Sequence, residues 1–143
     1  MNRSIVIYVL GYILKTEGVL MSLPCFIALI YRETEGWAYF TVAMISILLG
    51  QLMTMRKPKD YIIYLKEGCV ATSLSWILMG VIGAIPFMIT GEIPSFINAL
   101  FEMVSGFTTT GASILSDVEA VSRCSTTWRC FSHWIGGMGV LVF

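Results

Sequence analysis

Two runs of apolar residues without a charged side chain most constrain the fold of this chain. They cover residues 37–55 and 68–90, and each is long enough to cross a bilayer or nearly so. A third apolar segment, residues 5–31, would be about 40 Å long as a helix, which exceeds the ~30 Å hydrocarbon core. Only 13% of the residues are charged, against about 25% in soluble domains. The sequence therefore predicts an all-α integral membrane protein.

A stretch that cannot form a spanning helix lies between residues 68–90 and a fourth apolar segment, residues 124–143. Ser95 is predicted to be the N-cap of a helix that ends near Ser105, about 16 Å long or half a membrane. A Thr-Thr-Thr-Gly sequence follows at 108–111 and is expected to be an extended strand. Non-helical backbone persists at membrane depth only where protein buries it or where it lines a water-filled path. Its carbonyl groups can then replace the water around a cation, so the order of elements predicts a pore loop.

Four ionisable side chains are expected at or near membrane depth, where they are costly unless paired or hydrated. The hypothesis for Glu102 and Arg129 is that they pair and support the loop; the alternative is that each reaches water on its own. Lys15 and Glu17 are expected near the inner boundary of the core, where long side chains reach the interface. The alternative is a buried pair that contacts another segment. Pro24 is predicted to kink the first helix.

The distribution of cations predicts the orientation in the membrane. The link between the second and third segments contains Arg56, Lys57, Lys59 and Lys66, so it is expected to be cytoplasmic. The N-terminus is then also cytoplasmic and the link at 32–36 is external. Residues 61–65 are compatible with an interfacial helix.

Several functions find no support in the composition. A net charge of zero gives no case for nucleic-acid binding. The four cysteines form no C-x-x-C pair and are interpreted as small apolar packing residues. Cys130 and His133 are too few ligands for a metal site. No nucleophile–base pair, phosphate loop or carboxylate dyad is present, so neither an enzyme nor a cofactor is predicted.

A joint motif is formed by residues 102–113, 127–129 (Thr-Trp-Arg) and 133–139 (His-Trp-Ile-Gly-Gly-Met-Gly). The stretch 24–32 and Pro86-Phe87 before the half-length helix fit the same pattern. The pattern closely resembles the Trk/Ktr potassium transporters, and within them the TrkH-type membrane subunits. The resemblance covers essentially the whole chain.

The resemblance implies an architecture of four helix–pore-loop–helix repeats around one pore, preceded by two added helices. Residues 1–67 would be the two added transmembrane helices with their cytoplasmic link. Residues 68–143 would be the first repeat, truncated in its second helix. The selectivity-filter residues would be Thr108, Thr109, Thr110 and Gly111, with potassium held by the backbone of Thr109, Thr110 and Gly111.

The resemblance also implies partners for the full-length protein. These are a cytoplasmic nucleotide-binding regulatory subunit, a second copy in a homodimer, and the lipid bilayer of the bacterial plasma (inner) membrane. Potassium would be the transported substrate.

One loop supplies about a quarter of a coordination ring, so the remaining repeats or other copies are needed to close a pore. The chain is therefore expected to be the N-terminal part of a potassium uptake subunit. Two alternatives stay open: a short subunit of a homotetrameric cation channel, and a small membrane modulator protein whose re-entrant loop is purely structural.

Overall fold

The computed structural model describes residues 3–58 and 64–142, and all regular secondary structure in that part of the chain is α-helical. The helices are α1 Arg3–Leu20, α2 Ser22–Tyr31, α3 Gly36–Met55, α4 Leu65–Thr90, α5 Phe96–Phe107 and α6 Arg123–Val142. Among these residues, three stretches are long and apolar enough to cross a membrane: Arg3–Tyr31, Gly36–Met55 and Leu65–Thr90. The predicted fold class is confirmed. Lys59 and most of the expected interfacial helix lie outside the described residues.

The first apolar segment is broken into two helices at Met21, close to the predicted kink. Pro24 is the third residue of α2 and has no N–H to donate to the carbonyl of Leu20, so the regular bonding pattern is interrupted there. The N–H of Met21 still donates to the carbonyl of Glu17 at 2.9 Å. The break therefore lies between two well-formed helices.

Small residues allow the helices to approach closely. A Cβ atom on Gly50 of α3 would lie 2.6 Å from the carbonyl oxygen of Gly11 in α1. A Cβ atom on Gly83 of α4 would lie 2.7 Å from the Cε atom of Met103 in α5. The contact between α1 and α3 thus depends on the absence of a side chain at Gly50, because the neighbouring atom belongs to the backbone, whereas the end of the Met103 side chain could move aside at Gly83.

Four aromatic side chains form the centre of the core, and all are almost fully buried: Tyr39, Phe87, Phe107 and Trp128. Tyr39 of α3 and Phe87 of α4 form an edge-to-face pair with ring centroids 6.4 Å apart. Phe107 of α5 and Trp128 of α6 form a second edge-to-face pair, also with centroids 6.4 Å apart. The hydroxyl of Tyr39 donates to Ser125 Oγ at 2.8 Å, and Trp128 Nε1 donates to the carbonyl of Gly83 at 3.2 Å. These contacts fix α6 against α3, α4 and α5.

The four cysteines are free thiols, and they differ in environment. Cys124 is buried and Cys25 is partly buried, as a packing role requires. Cys69 and Cys130 are exposed, so the packing interpretation is wrong for them within this chain. Their side chains lie on helix faces that no described residue covers.

Candidate ion-filter loop

The half-length helix α5 buries a mixed face of apolar and polar residues. Met103 and Phe107 are buried, but Phe96 and Val104 remain 41% and 43% exposed. Glu102, Ser105 and Gly106 are buried instead. The reason is that this side of α5 faces α6 and the loop, which supply polar partners. Ser95 occupies the N-cap position, but its hydroxyl makes no capping hydrogen bond.

The Thr-Thr-Thr-Gly segment begins as a turn and not as an extended strand. The N–H groups of Thr109 and Thr110 donate to the carbonyls of Gly106 and Ser105 at 2.9 and 3.0 Å. Thr109 has φ +58° and Gly111 has φ +77°, both in the left-handed region. The predicted strand is therefore wrong at Thr108 and Thr109. The turn arises because the end of α5 still offers free carbonyl groups to these N–H groups.

Glu102 connects the helix, the returning loop and α6. It forms an ion pair with Nε of Arg129, and its side chain is 1% exposed. The carboxylate also accepts hydrogen bonds from Ser113 Oγ at 3.0 Å and from the N–H of Ile114 at 3.0 Å. The hypothesised pairing is thus observed. A buried carboxylate is stable only with several such donors, which Glu102 has.

Two serines that were not singled out in the sequence also hold the loop. The carbonyl of Ser105 accepts from Thr110, and its Oγ donates to the carbonyl of Ala112 at 2.5 Å. Ser113 binds Glu102 and also accepts from the N–H of Leu115 at 3.1 Å. Serine at the end of a half-length helix, followed by serine after the filter residues, is the sequence signal that could have identified them.

No described residue covers the four candidate filter residues. Thr108, Thr109, Thr110 and Gly111 are all exposed. The Oγ1 atoms of Thr108 and Thr110 lie 2.9 Å apart and are hydrogen-bonded. The segment is therefore fixed from behind by α5 and α6 and open in front.

Helices α5 and α6 touch at the level of the loop through glycine. A Cβ atom on Gly136 would lie 2.6 Å from the carbonyl carbon of Phe107, at the last residue of α5. His133 Nδ1 lies 2.9 Å from the carbonyl oxygen of Arg129, within α6. In the described ranges, no group of three or more His, Cys, Asp or Glu side chains could hold a metal ion.

Glu17 lies in the core and not near the interface. Its side chain is 1% exposed, and neither carboxylate oxygen has a hydrogen-bond partner. A Cβ atom built on Gly83 would lie 3.5 Å from its Oε1. Lys15 points elsewhere, with Nζ 5.2 Å from the centre of the Tyr12 ring. The interfacial position expected for Glu17 is therefore wrong, and that of Lys15 stays a prediction. The two side chains do not form the alternative buried pair, because residues two positions apart point to different sides of a helix.

The fold and the loop define a class: a multi-pass, all-helical membrane protein in which a half-length helix is followed by an exposed, non-helical segment. Residues 36–143 match the profile of the TrkH family, described as a cation transport protein. The chain belongs to the TrkH family of cation transport proteins.

The similar proteins are transporters. The chain is 34% identical over 147 residues to the Trk system potassium uptake protein TrkG of Escherichia coli (strain K12), covering 99% of this chain and 30% of TrkG. It is 31% identical over 138 residues to an uncharacterized cation transporter of Methanocaldococcus jannaschii, an alignment that covers 96% of this chain and 29% of the transporter. The crystal structure of the potassium transporter TrkH from Vibrio parahaemolyticus superposes with a TM-score of 0.90 at 29% identity, and the match covers 99% of this chain and 31% of TrkH. The chain thus spans about a third of the length of these relatives.

Proposed function

We propose that this chain is the N-terminal part of a potassium uptake transporter or channel subunit and contributes one of four filter loops. The observation that carries the proposal is the junction at Glu102, which holds the outgoing limb of a non-helical segment against α5 and α6. Family membership and the potassium uptake by the similar proteins TrkG and TrkH support potassium as the ion.

The ion would bind the exposed side of the loop. The backbone carbonyls of Thr109, Thr110 and Gly111 would replace part of its hydration shell, with Thr108 at the inner end of the same segment. Gly111 supports this proposal because its φ of +77° suits glycine and leaves no side chain in front of the backbone. The remaining coordination would come from three equivalent loops.

The proposed division of the chain follows from this role. Residues 1–67 would be two added helices and a cytoplasmic link, and residues 68–143 the first helix–pore-loop–helix repeat. The N-terminus would be cytoplasmic in the plasma membrane of a bacterium. The full-length protein would work as a homodimer with a cytoplasmic nucleotide-binding regulatory subunit.

Gly111→Val in the full-length protein tests the proposed ion path. A Cβ atom on Gly111 meets nothing within 4 Å, but its φ of +77° lies in the left-handed region, where a side chain costs roughly 1–2 kcal/mol. The amount of the variant in the membrane is therefore measured in parallel with transport. At wild-type amounts of protein, we expect Gly111→Val to abolish potassium uptake, or its preference for potassium over sodium. Wild-type uptake and selectivity in Gly111→Val would reject the filter role.

A further inference from the structure

The N-terminus of α6 is held by two carboxylates that come from other parts of the chain. Glu33, in the link between α2 and α3, accepts from the N–H groups of Arg123 and Cys124 at 3.1 and 3.0 Å. Glu92, in the link between α4 and α5, accepts from the N–H of Ser122 at 2.6 Å. Ninety residues separate Glu33 from Arg123 along the chain.

Together these groups satisfy the first turn of α6 completely. A helix leaves its first four N–H groups without intrahelical partners. Here Glu92 accepts from the N–H of Ser122, Glu33 accepts from the next two N–H groups, and Ser122 Oγ accepts from the N–H of Ser125 at 3.2 Å. Negative charge at a helix N-terminus is also favoured by the helix dipole.

The two links are themselves shaped to present these carboxylates. Arg32 adopts φ +56° at the end of α2, and the N–H of Glu33 then donates to the carbonyl of Ala28 at 2.9 Å. Gly91 ends α4 with φ +76°, and Glu92 Oε2 accepts from Thr90 Oγ1 at 3.3 Å. The backbone of Glu33 and the side chain of Glu92 are therefore each held by a residue of the helix that precedes them.

Further contacts tie the same end of α6 to the N-terminal helices. The guanidinium of Arg123 lies 4.3 Å from the centre of the Tyr31 ring. The thiol of Cys124 donates to the carbonyl of Pro24 at 3.2 Å in a fully buried position. The position of α6 along its axis is thus set by α2, by α3 and by both links.

The position of helix α6 also determines where Arg129 meets the loop. Arg129 lies less than two helical turns after Arg123 and forms the ion pair with Glu102, which binds Ser113 and Ile114. We propose that Glu33 and Glu92 are positioning residues for the filter, because they fix α6 and thereby the arginine that holds the loop. This inference rests on the proposed function of the loop.

Two measurements on the variant Glu33→Gln/Glu92→Gln test the inference. The first is the rate at which a thiol reagent, present on both sides of the membrane, labels Cys124 in a chain whose other three cysteines are alanine. Glutamine keeps the size of glutamate but loses the charge and one acceptor oxygen. Weakening hydrogen bonds to charged groups should speed labelling by roughly tenfold. Glu35→Gln is the matched control, because Glu35 lies in the same link and makes no side-chain capping bond.

The second measurement is potassium uptake by the full-length protein. We expect the KM for potassium to rise by about tenfold and the preference over sodium to fall, at similar amounts of protein in the membrane and similar maximal rate. Unchanged labelling of Cys124 overturns the inference. Faster labelling with unchanged KM and selectivity also overturns it, because the carboxylates would then stabilise α6 without positioning the filter. If the wild-type protein transports no potassium, the proposed function is rejected. The labelling result would then still show whether Glu33 and Glu92 anchor α6.

Discussion

Two glutamates, Glu102 and Glu17, are equally buried at 1% exposure but have opposite surroundings. Glu102 binds Arg129, Ser113 and the N–H of Ile114. Glu17 is surrounded by the core and neither of its oxygens is hydrogen-bonded. Burying a polar group without a hydrogen bond destabilises a protein, whereas a fully satisfied carboxylate fixes a unique geometry. The same substitution is therefore expected to change the free energy of unfolding in opposite directions at the two residues.

Glu17→Met is expected to stabilise the chain by about 1–3 kcal/mol, because methionine fills a similar volume and needs no hydrogen bond. Glu102→Met is expected to destabilise it by about 3–5 kcal/mol, because Arg129 is then left without its ion-pair partner. Thermal unfolding in detergent, followed by helical circular dichroism, measures both. A loss of stability in Glu17→Met would show that its carboxylate has a stabilising partner.

At the scale of helices, the contact between α5 and α6 decides where the loop begins. Gly136 lies against the backbone of Phe107, the last residue of α5, while the next residue, Gly137, has only Thr109 Cγ2 within reach at 3.8 Å. The adjacent glycines thus have different roles. Gly136 permits the close approach of two backbones, whereas Gly137 does not face a close neighbour.

Gly136→Ala is expected to separate α6 from the end of α5 and to destabilise the chain by about 1–3 kcal/mol, because backbone atoms cannot move aside as a side chain can. Gly137→Ala is the matched control and should be neutral or stabilising by about 0.5–1 kcal/mol, the usual effect in a helix interior. Unfolding temperatures of the two variants compare them directly. Equal destabilisation would contradict the close contact at Gly136.

The helices could be predicted from sequence because each depends on a local apolar run, and the break near Met21 because it depends on Pro24. The pairing of Glu102 with Arg129 could be hypothesised because both charges fall at membrane depth. The choice between an interfacial and a buried Glu17, and the contact of Glu33 with α6, could not be predicted, because they depend on contacts between distant segments. The turn at Thr109 was missed because threonine rarely adopts a positive φ.

At the scale of the whole molecule, the links at 32–35 and 91–95 and the start of α6 meet at one end of the bundle. The link that begins at Arg56 lies at the opposite end of α3. The cationic link and the carboxylate-bearing links thus lie at opposite ends of α3, and we expect them on opposite sides of a membrane. The positive-inside rule predicts that the cationic side is cytoplasmic.

Single cysteines at Thr34 and Lys57, in a background without other cysteines, test this orientation. Both side chains are exposed. A membrane-impermeant thiol reagent applied to intact spheroplasts should label Thr34→Cys at once and Lys57→Cys only after permeabilisation. The reverse pattern would invert the proposed topology and place the filter loop on the cytoplasmic side.

The shared use of Glu102 has a consequence for how the loop can fail. The incoming limb leaves α5, which carries Glu102, and the outgoing limb is bound to the same carboxylate through Ser113 and Ile114. Loss of this one group would release the outgoing limb at Ser113 and Ile114, whereas the N–H groups of Thr109 and Thr110 would still be bound to carbonyl groups at the end of α5. Damage at Glu102 is thus expected to be one-sided: the returning half of the loop loses its native shape, while the turn at Thr109 keeps it.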